Sequence, residues 1–92
     1  MKALVMPAPG GADVLEMQEV ADPRIQGERD LRIRLKAAGI NPIDTKLRDR
    51  GPYLAAGQPA ILGCDGAGVV TEAGRGCTRF RPGDEVFFFN GG

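Results

Sequence analysis

Histidine is absent from this chain of 92 residues, and so is tryptophan. Without an imidazole, neither a Ser-His-Asp nor a Cys-His nucleophile system can be assembled from these residues alone. The two cysteines, Cys64 and Cys77, are too few for a disulfide framework, and both read as reduced thiols. Net charge is missing too: 12 basic and 12 acidic residues cancel, which leaves no electrostatic footprint for nucleic acid or an anionic membrane. No apolar run approaches the ~20 residues of a membrane span. Residues 1–6 begin like a secretion signal, but Pro7 and Gly10-Gly11 stop the apolar run too early. The expectation is a cytoplasmic, soluble protein with neither a nucleic-acid nor a membrane partner.

What the chain has in quantity is glycine and proline, 14 and 7 residues, without repeats or low complexity. That load suits strands and turns better than helices. The length allows one domain, able to bury ~60–65% of its unfolded surface. Short strands are expected over residues 2–6 and 14–20, around 66–73, and from Glu85 to Phe89. The clearest strand is Leu31-Arg32-Ile33-Arg34-Leu35-Lys36. Its strict alternation puts Leu31, Ile33 and Leu35 on a core face and three cations on a wet face.

One short helix is expected after Asn41. Asparagine is a good N-cap, Pro42 fits the first helical position, and Asp44 stands third, where a carboxylate meets free amides. Ile43 and Leu47 share a face, Asp44 and Arg48 have the spacing of an ion pair, and Gly51-Pro52 ends the helix. The fold class expected is mainly β, a partly open barrel or sandwich with one short helix. Phe87-Phe88-Phe89 cannot all face one core, because neighbours in a strand point to opposite sides. At least one would be exposed unless more protein covers it, so the chain reads as a fragment.

Gly66-Ala67-Gly68 invites comparison with a dinucleotide loop, but the sixth position is Thr71 and a strand runs through the glycines. They read instead as sites of a bulge or of close backbone approach. A catalytic zinc needs three convergent ligands, and only Asp44, Cys64 and Asp65 offer donors here, so no metal is expected. Asn41 and Asp44 are explained as caps, Cys64 as a small buried hydrophobe, and Tyr53 as a rim or packing residue in a Gly/Pro loop.

Three segments taken together carry more. Ala38-Gly39-Ile40-Asn41-Pro42-Ile43-Asp44-Thr45-Lys46, Leu62-Gly63-Cys64-Asp65-Gly66-Ala67-Gly68-Val69-Val70 and Phe80-Arg81-Pro82-Gly83-Asp84-Glu85-Val86-Phe87 appear in that order. They resemble the start of a quinone oxidoreductase of the medium-chain dehydrogenase/reductase superfamily, in its zeta-crystallin-like, zinc-independent branch. In zinc-using relatives a Cys-His pair stands at Asn41 and Pro42, and His-Glu at Cys64 and Asp65. The resemblance implies a GroES-like barrel, of which residues 1–92 are the N-terminal part, joined to a Rossmann domain absent from this chain. It also implies NADPH or NADH as cofactor, no zinc, and hydride transfer to a small-molecule quinone or enone. A homodimer is implied for the intact protein, and no activity for residues 1–92 alone. By the same resemblance Asn41 and Asp44 border the cofactor, Lys46, Arg48 and Tyr53 border the substrate side or support the helix, and Cys64 and Asp65 lie in the substrate cleft where relatives hold metal. Lys46 stands where some relatives carry tyrosine, and no catalytic residue is assigned. The alternative is a stand-alone GroES-like binding module of the co-chaperonin type. The capped helix supplies no evident flexible loop with an apolar tip for that role.

Overall fold

The computed structural model describes residues 1–51 and 60–89. They are mainly β, with two sheets and one α-helix, and the chain divides into two compact units. Among the described residues neither sheet closes into a barrel.

The first unit comprises residues 1–21 and 40–63. Strand β1, Lys2–Val5, pairs antiparallel with β2, Glu16–Glu19, so that Lys2 stands opposite Glu19 and Val5 opposite Glu16. A strand starting at Val14 was expected, but Ala12–Val14 is a 3-10 turn. The Gly10-Gly11 turn explains the difference. Val14 N–H reaches the Gly11 carbonyl at 3.1 Å and Leu15 N–H the Ala12 carbonyl at 3.3 Å, so the tight winding persists until Leu15 and the ladder begins only at Glu16. Beyond β1, Met6 and Ala60 exchange both backbone hydrogen bonds, at 2.7 and 3.0 Å. Among the described residues, Val5, Met6 and Ala60 are the buried apolar residues of this unit.

Helix α1, Pro42–Arg50, starts and stops where the local chemistry directs. Asn41 is extended (φ −120°, ψ 157°), proline occupies the first turn, and Gly51 N–H closes the last turn on the Leu47 carbonyl at 2.8 Å. The Asp44–Arg48 ion pair suggested by their spacing is not formed. Asp44 turns back into the cap, where it accepts the Asn41 N–H, while Arg48 Nε donates to the Gly10 carbonyl at 3.1 Å. Each side chain finds a backbone partner that holds it more firmly than an exposed i,i+4 pair would.

The second unit comprises residues 22–39 and 64–92. Its sheet runs β3 (Leu31–Ala38), β4 (Asp65–Ala73), β5 (Glu85–Phe89), antiparallel throughout and in that order. Alternation in β3 holds as a strand signal, with Leu31 and Ile33 half-buried and Arg34 and Lys36 exposed. Leu35 departs from its expected core place at 53% exposure. It pairs with Gly68, which offers no side chain to cover it, and the register slips between Leu35 and Ala37. Arg32 also departs from a fully wet face, being half-buried with ion pairs to Asp22 at 3.3 Å and Glu72 at 4.0 Å.

Strand β4 runs straight through Gly66 and Gly68, as the rejection of a phosphate loop requires. A Cβ on Gly68 would collide with the Arg34 carbonyl, so here glycine permits close backbone approach. Val70, 1% exposed, is the most buried side chain of this unit. Past β4, Gly74 and Gly76 donate to the carbonyls of Asp30 and Glu28 at 2.8 and 2.7 Å, which ties the turn to the lead-in of β3. The turn before β5 is closed by Asp84 N–H on the Arg81 carbonyl and by Arg81 N–H on the Asp84 carboxylate. In β5, Phe87 and Phe89 are exposed and Phe88 is half-buried, the alternation expected of three consecutive phenylalanines.

Candidate functional site

The N-terminus of α1 carries the first group of candidate residues. Asn41 N–H donates to Asp44 Oδ2 at 2.9 Å, the returning half of a capping box. Asp44 N–H donates in turn to the Asn41 carbonyl at 2.9 Å. Asp44 is the buried charged residue of the described chain, 9% exposed, and a carboxylate is favoured there by the partial positive charge of the helix end. Asn41 and Asp44 are thus brought together directly, in a polar pair whose rotamers are fixed by the cap.

Lys46 and Arg48 share the helix but not the environment. Lys46 is exposed. Arg48 is half-buried and grips Gly10 twice, through its own carbonyl, which accepts Gly10 N–H at 2.8 Å, and through Nε on the Gly10 carbonyl. Its outer nitrogen reaches Asp49 Oδ1 at 3.3 Å. Arg48 therefore ties α1 to the loop after β1. Tyr53 lies outside the described residues.

The second unit carries Cys64 and Asp65, both half-buried, where the chain enters β4. Asp65 Oδ1 accepts the backbone N–H of Gly39 at 2.9 Å, which joins the start of β4 to the residue after β3. Beside this bond runs a shallow groove of about 410 Å³, lined by Ala37, Ala38, Gly66, Ala67, Phe87 and Phe88 together with Gly39 and Asp65. Small side chains leave backbone accessible on its floor, and Phe87 supplies an aromatic wall. Among the described residues no group of three or more Cys, Asp or Glu side chains is gathered as a metal ion would need. The sequence contains no imidazole, and one Asp65 oxygen is engaged by Gly39.

Sequence reasoning missed both backbone partners, Gly39 for Asp65 and Gly10 for Arg48. These pairs are 26 and 38 residues apart, and no periodicity links such positions. A glycine standing directly after a clear strand, with no turn chemistry beside it, was the only local hint at Gly39.

Comparison with known proteins gives a consistent answer. The alcohol dehydrogenase GroES-like domain matches residues 27–91. A quinone oxidoreductase of Pseudomonas aeruginosa is 42% identical over 90 residues, which cover 98% of this chain and 27% of that protein. A trans-enoyl reductase of Fusarium mangiferae is 41% identical over 86 residues, covering 94% of this chain and 22% of that one. The crystal structure of Escherichia coli quinone oxidoreductase complexed with NADPH matches with a TM-score of 0.85 at 32% identity, over 98% of this chain and 27% of the other. The chain spans about a quarter of the length of the relatives it matches. A mainly β fold with a single capped helix, and a domain match running from Gly27 to Gly91, place this chain in the alcohol dehydrogenase GroES-like domain family, in the medium-chain dehydrogenase/reductase superfamily.

Proposed function

We propose that this chain is the N-terminal part of the catalytic domain of an NAD(P)H-dependent oxidoreductase that reduces quinones or other electron-poor carbonyls and enones without a catalytic zinc. The observation that carries this reading is the similarity to quinone oxidoreductases along 98% of the chain, one of them solved with NADPH. The relatives are oxidoreductases and reductases, so the co-chaperonin alternative is not favoured. Cofactor binding falls mainly to a Rossmann domain outside residues 1–92, and the assembled protein is a cytoplasmic homodimer.

When bound, the nicotinamide supplies the hydride. The residues at the start of α1 suit one rim of such a site. Asn41 and Asp44 are polar, adjacent and held in place before any ligand arrives, which lowers the cost of ordering on binding. Lys46, and Tyr53 with it, border the substrate side, and Cys64 and Asp65 occupy the ground where zinc-using relatives hold metal. Arg48 acts from behind, by holding α1 to Gly10. No residue of this chain is assigned as proton donor, since quinone reduction can draw its protons from solvent.

The test is steady-state NADPH oxidation with 1,4-benzoquinone by the longer protein carrying this sequence, before and after exhaustive chelation. Turnover unchanged by chelator is expected. Activity lost with the chelator and restored by zinc would overturn the metal-free reading. Residues 1–92 assayed alone are expected to give no turnover.

A further inference from the structure

Gly39 raises a question that its backbone does not answer. It is not among the glycines with positive φ, so conformation alone would admit any residue there. Space would not. The three atoms nearest to a Cβ built on Gly39 all belong to the Asp65 carboxyl group: Oδ1 closest, then Oδ2 at 2.8 Å and Cγ at 2.9 Å. Real Cβ atoms essentially never approach other atoms so closely. The same Oδ1 accepts the Gly39 N–H at 2.9 Å. Donor and vacancy thus serve one side chain, since the missing Cβ makes room for the carboxylate that the amide then binds.

We propose that Asp65 is a positioning residue whose carboxylate clasps the Gly39 amide, and that position 39 is glycine to admit it. The clasp holds the Ala38-Gly39 end of β3 against the Asp65-Gly66 start of β4, where the backbone ladder already pairs Ala38 with Gly66. It therefore fixes the floor of the groove lined by Ala37, Ala38, Gly66 and Ala67. In sequence it also stands two residues before Asn41, so the strand end it anchors is the one from which the chain proceeds to the cap. This assignment rests on the oxidoreductase reading only for its catalytic consequence. An acidic residue where zinc-using relatives carry glutamate is here given a backbone-holding duty in place of a metal or proton-transfer one.

Three measurements test it. In amide hydrogen exchange, Asp65→Ala should speed exchange at Gly39 by about tenfold or more, whereas Asp65→Asn, which keeps an acceptor oxygen, should stay within about threefold of wild type. In urea unfolding, Gly39→Ala should be clearly destabilising in the wild-type background and close to neutral alongside Asp65→Ala, where the space is vacated. In NADPH–benzoquinone turnover by the longer protein, Asp65→Asn should hold kcat/KM within about threefold, while Asp65→Ala loses roughly tenfold or more. Unchanged Gly39 exchange in Asp65→Ala, or equal cost of Gly39→Ala in both backgrounds, overturns the clasp. Asp65→Asn as damaging to turnover as Asp65→Ala, with Gly39 exchange preserved, overturns the positioning role in favour of acid, base or ligand chemistry. If the wild-type protein has no such turnover, the functional reading falls, and exchange and coupling still decide the clasp.

Discussion

Replacing Asp44 by alanine should destabilise the protein by about 2 kcal/mol in the absence of any ligand. The bond lost is the one from Asn41 N–H to Asp44 Oδ2 at 2.9 Å. A hydrogen bond to a charged group contributes ~1.5–3 kcal/mol net, and a carboxylate in the first turn of a helix adds ~0.3–1 kcal/mol. Against this, Asn41 is only half-buried, so water can reach the freed amide and recover part of the loss. Asp44 itself is 9% exposed, so the truncated site does not simply hydrate. Asp44→Asn keeps an acceptor and loses the charge, and should cost about half as much. Far-UV circular dichroism melts and urea titrations of both variants, without NADPH, provide the assay. An alanine variant within ~0.5 kcal/mol of wild type would refute the cap as the reason for Asp44, and would shift its role entirely to ligand contact.

Three further substitutions probe the frame around the site. Gly68→Ala should cost about 2–3 kcal/mol, because the added methyl meets the Arg34 backbone and cannot be relieved by a rotamer change. Gly66→Ala should cost less, since its nearest neighbours are the side-chain tips of Leu35 and Phe88, at 2.9 and 3.0 Å, and the Ala37 backbone carbonyl stands farther off at 3.1 Å. Urea midpoints that reverse this order would sink the close-approach explanation. Arg48→Ala should lower stability by about 1 kcal/mol through loss of its bond to the Gly10 carbonyl, with the Gly10 N–H bond to the Arg48 carbonyl intact. A midpoint unchanged in Arg48→Ala would remove Arg48 as the tie between α1 and the loop.

The helix was legible because its determinants are local. Asn41, Pro42 and Asp44 lie within one turn of each other, and the capping geometry follows from residue types and offsets alone. Alternation likewise marked β3, and turn chemistry marked the start of β5. What failed were the statements that named a distant or cross-strand side-chain environment. Leu35 was assigned to a core by period, but its cross-strand neighbour is Gly68, and only the register shows that. Asp44 and Arg48 were paired by spacing, whereas both were drawn to backbone groups, one of them 38 residues away. The candidate site followed the same division. The Asn41–Asp44 pair could be anticipated, and the Asp65–Gly39 bond could not, because nothing in either residue's neighbourhood names the other.

The pairing of β3 with β4 also has a cost in time. Leu31 finds its partner at Ala73 and Ala38 at Gly66, so the whole of α1 must be synthesised before the first ladder bond of this sheet can form. At ~5–20 residues per second, a strand with apolar Leu31, Ile33 and Leu35 stands unpaired outside the ribosome for seconds. In that interval it could pair with any other extended chain. Arg32, Arg34 and Lys36 alternate with those aliphatic residues, and charge of this kind on an open strand edge opposes pairing between copies. Among the described residues β3 lies at an edge of the three-stranded sheet, with Arg34 and Lys36 exposed. Its cations thus oppose mispairing in the interval before Asp65–Ala73 has been made.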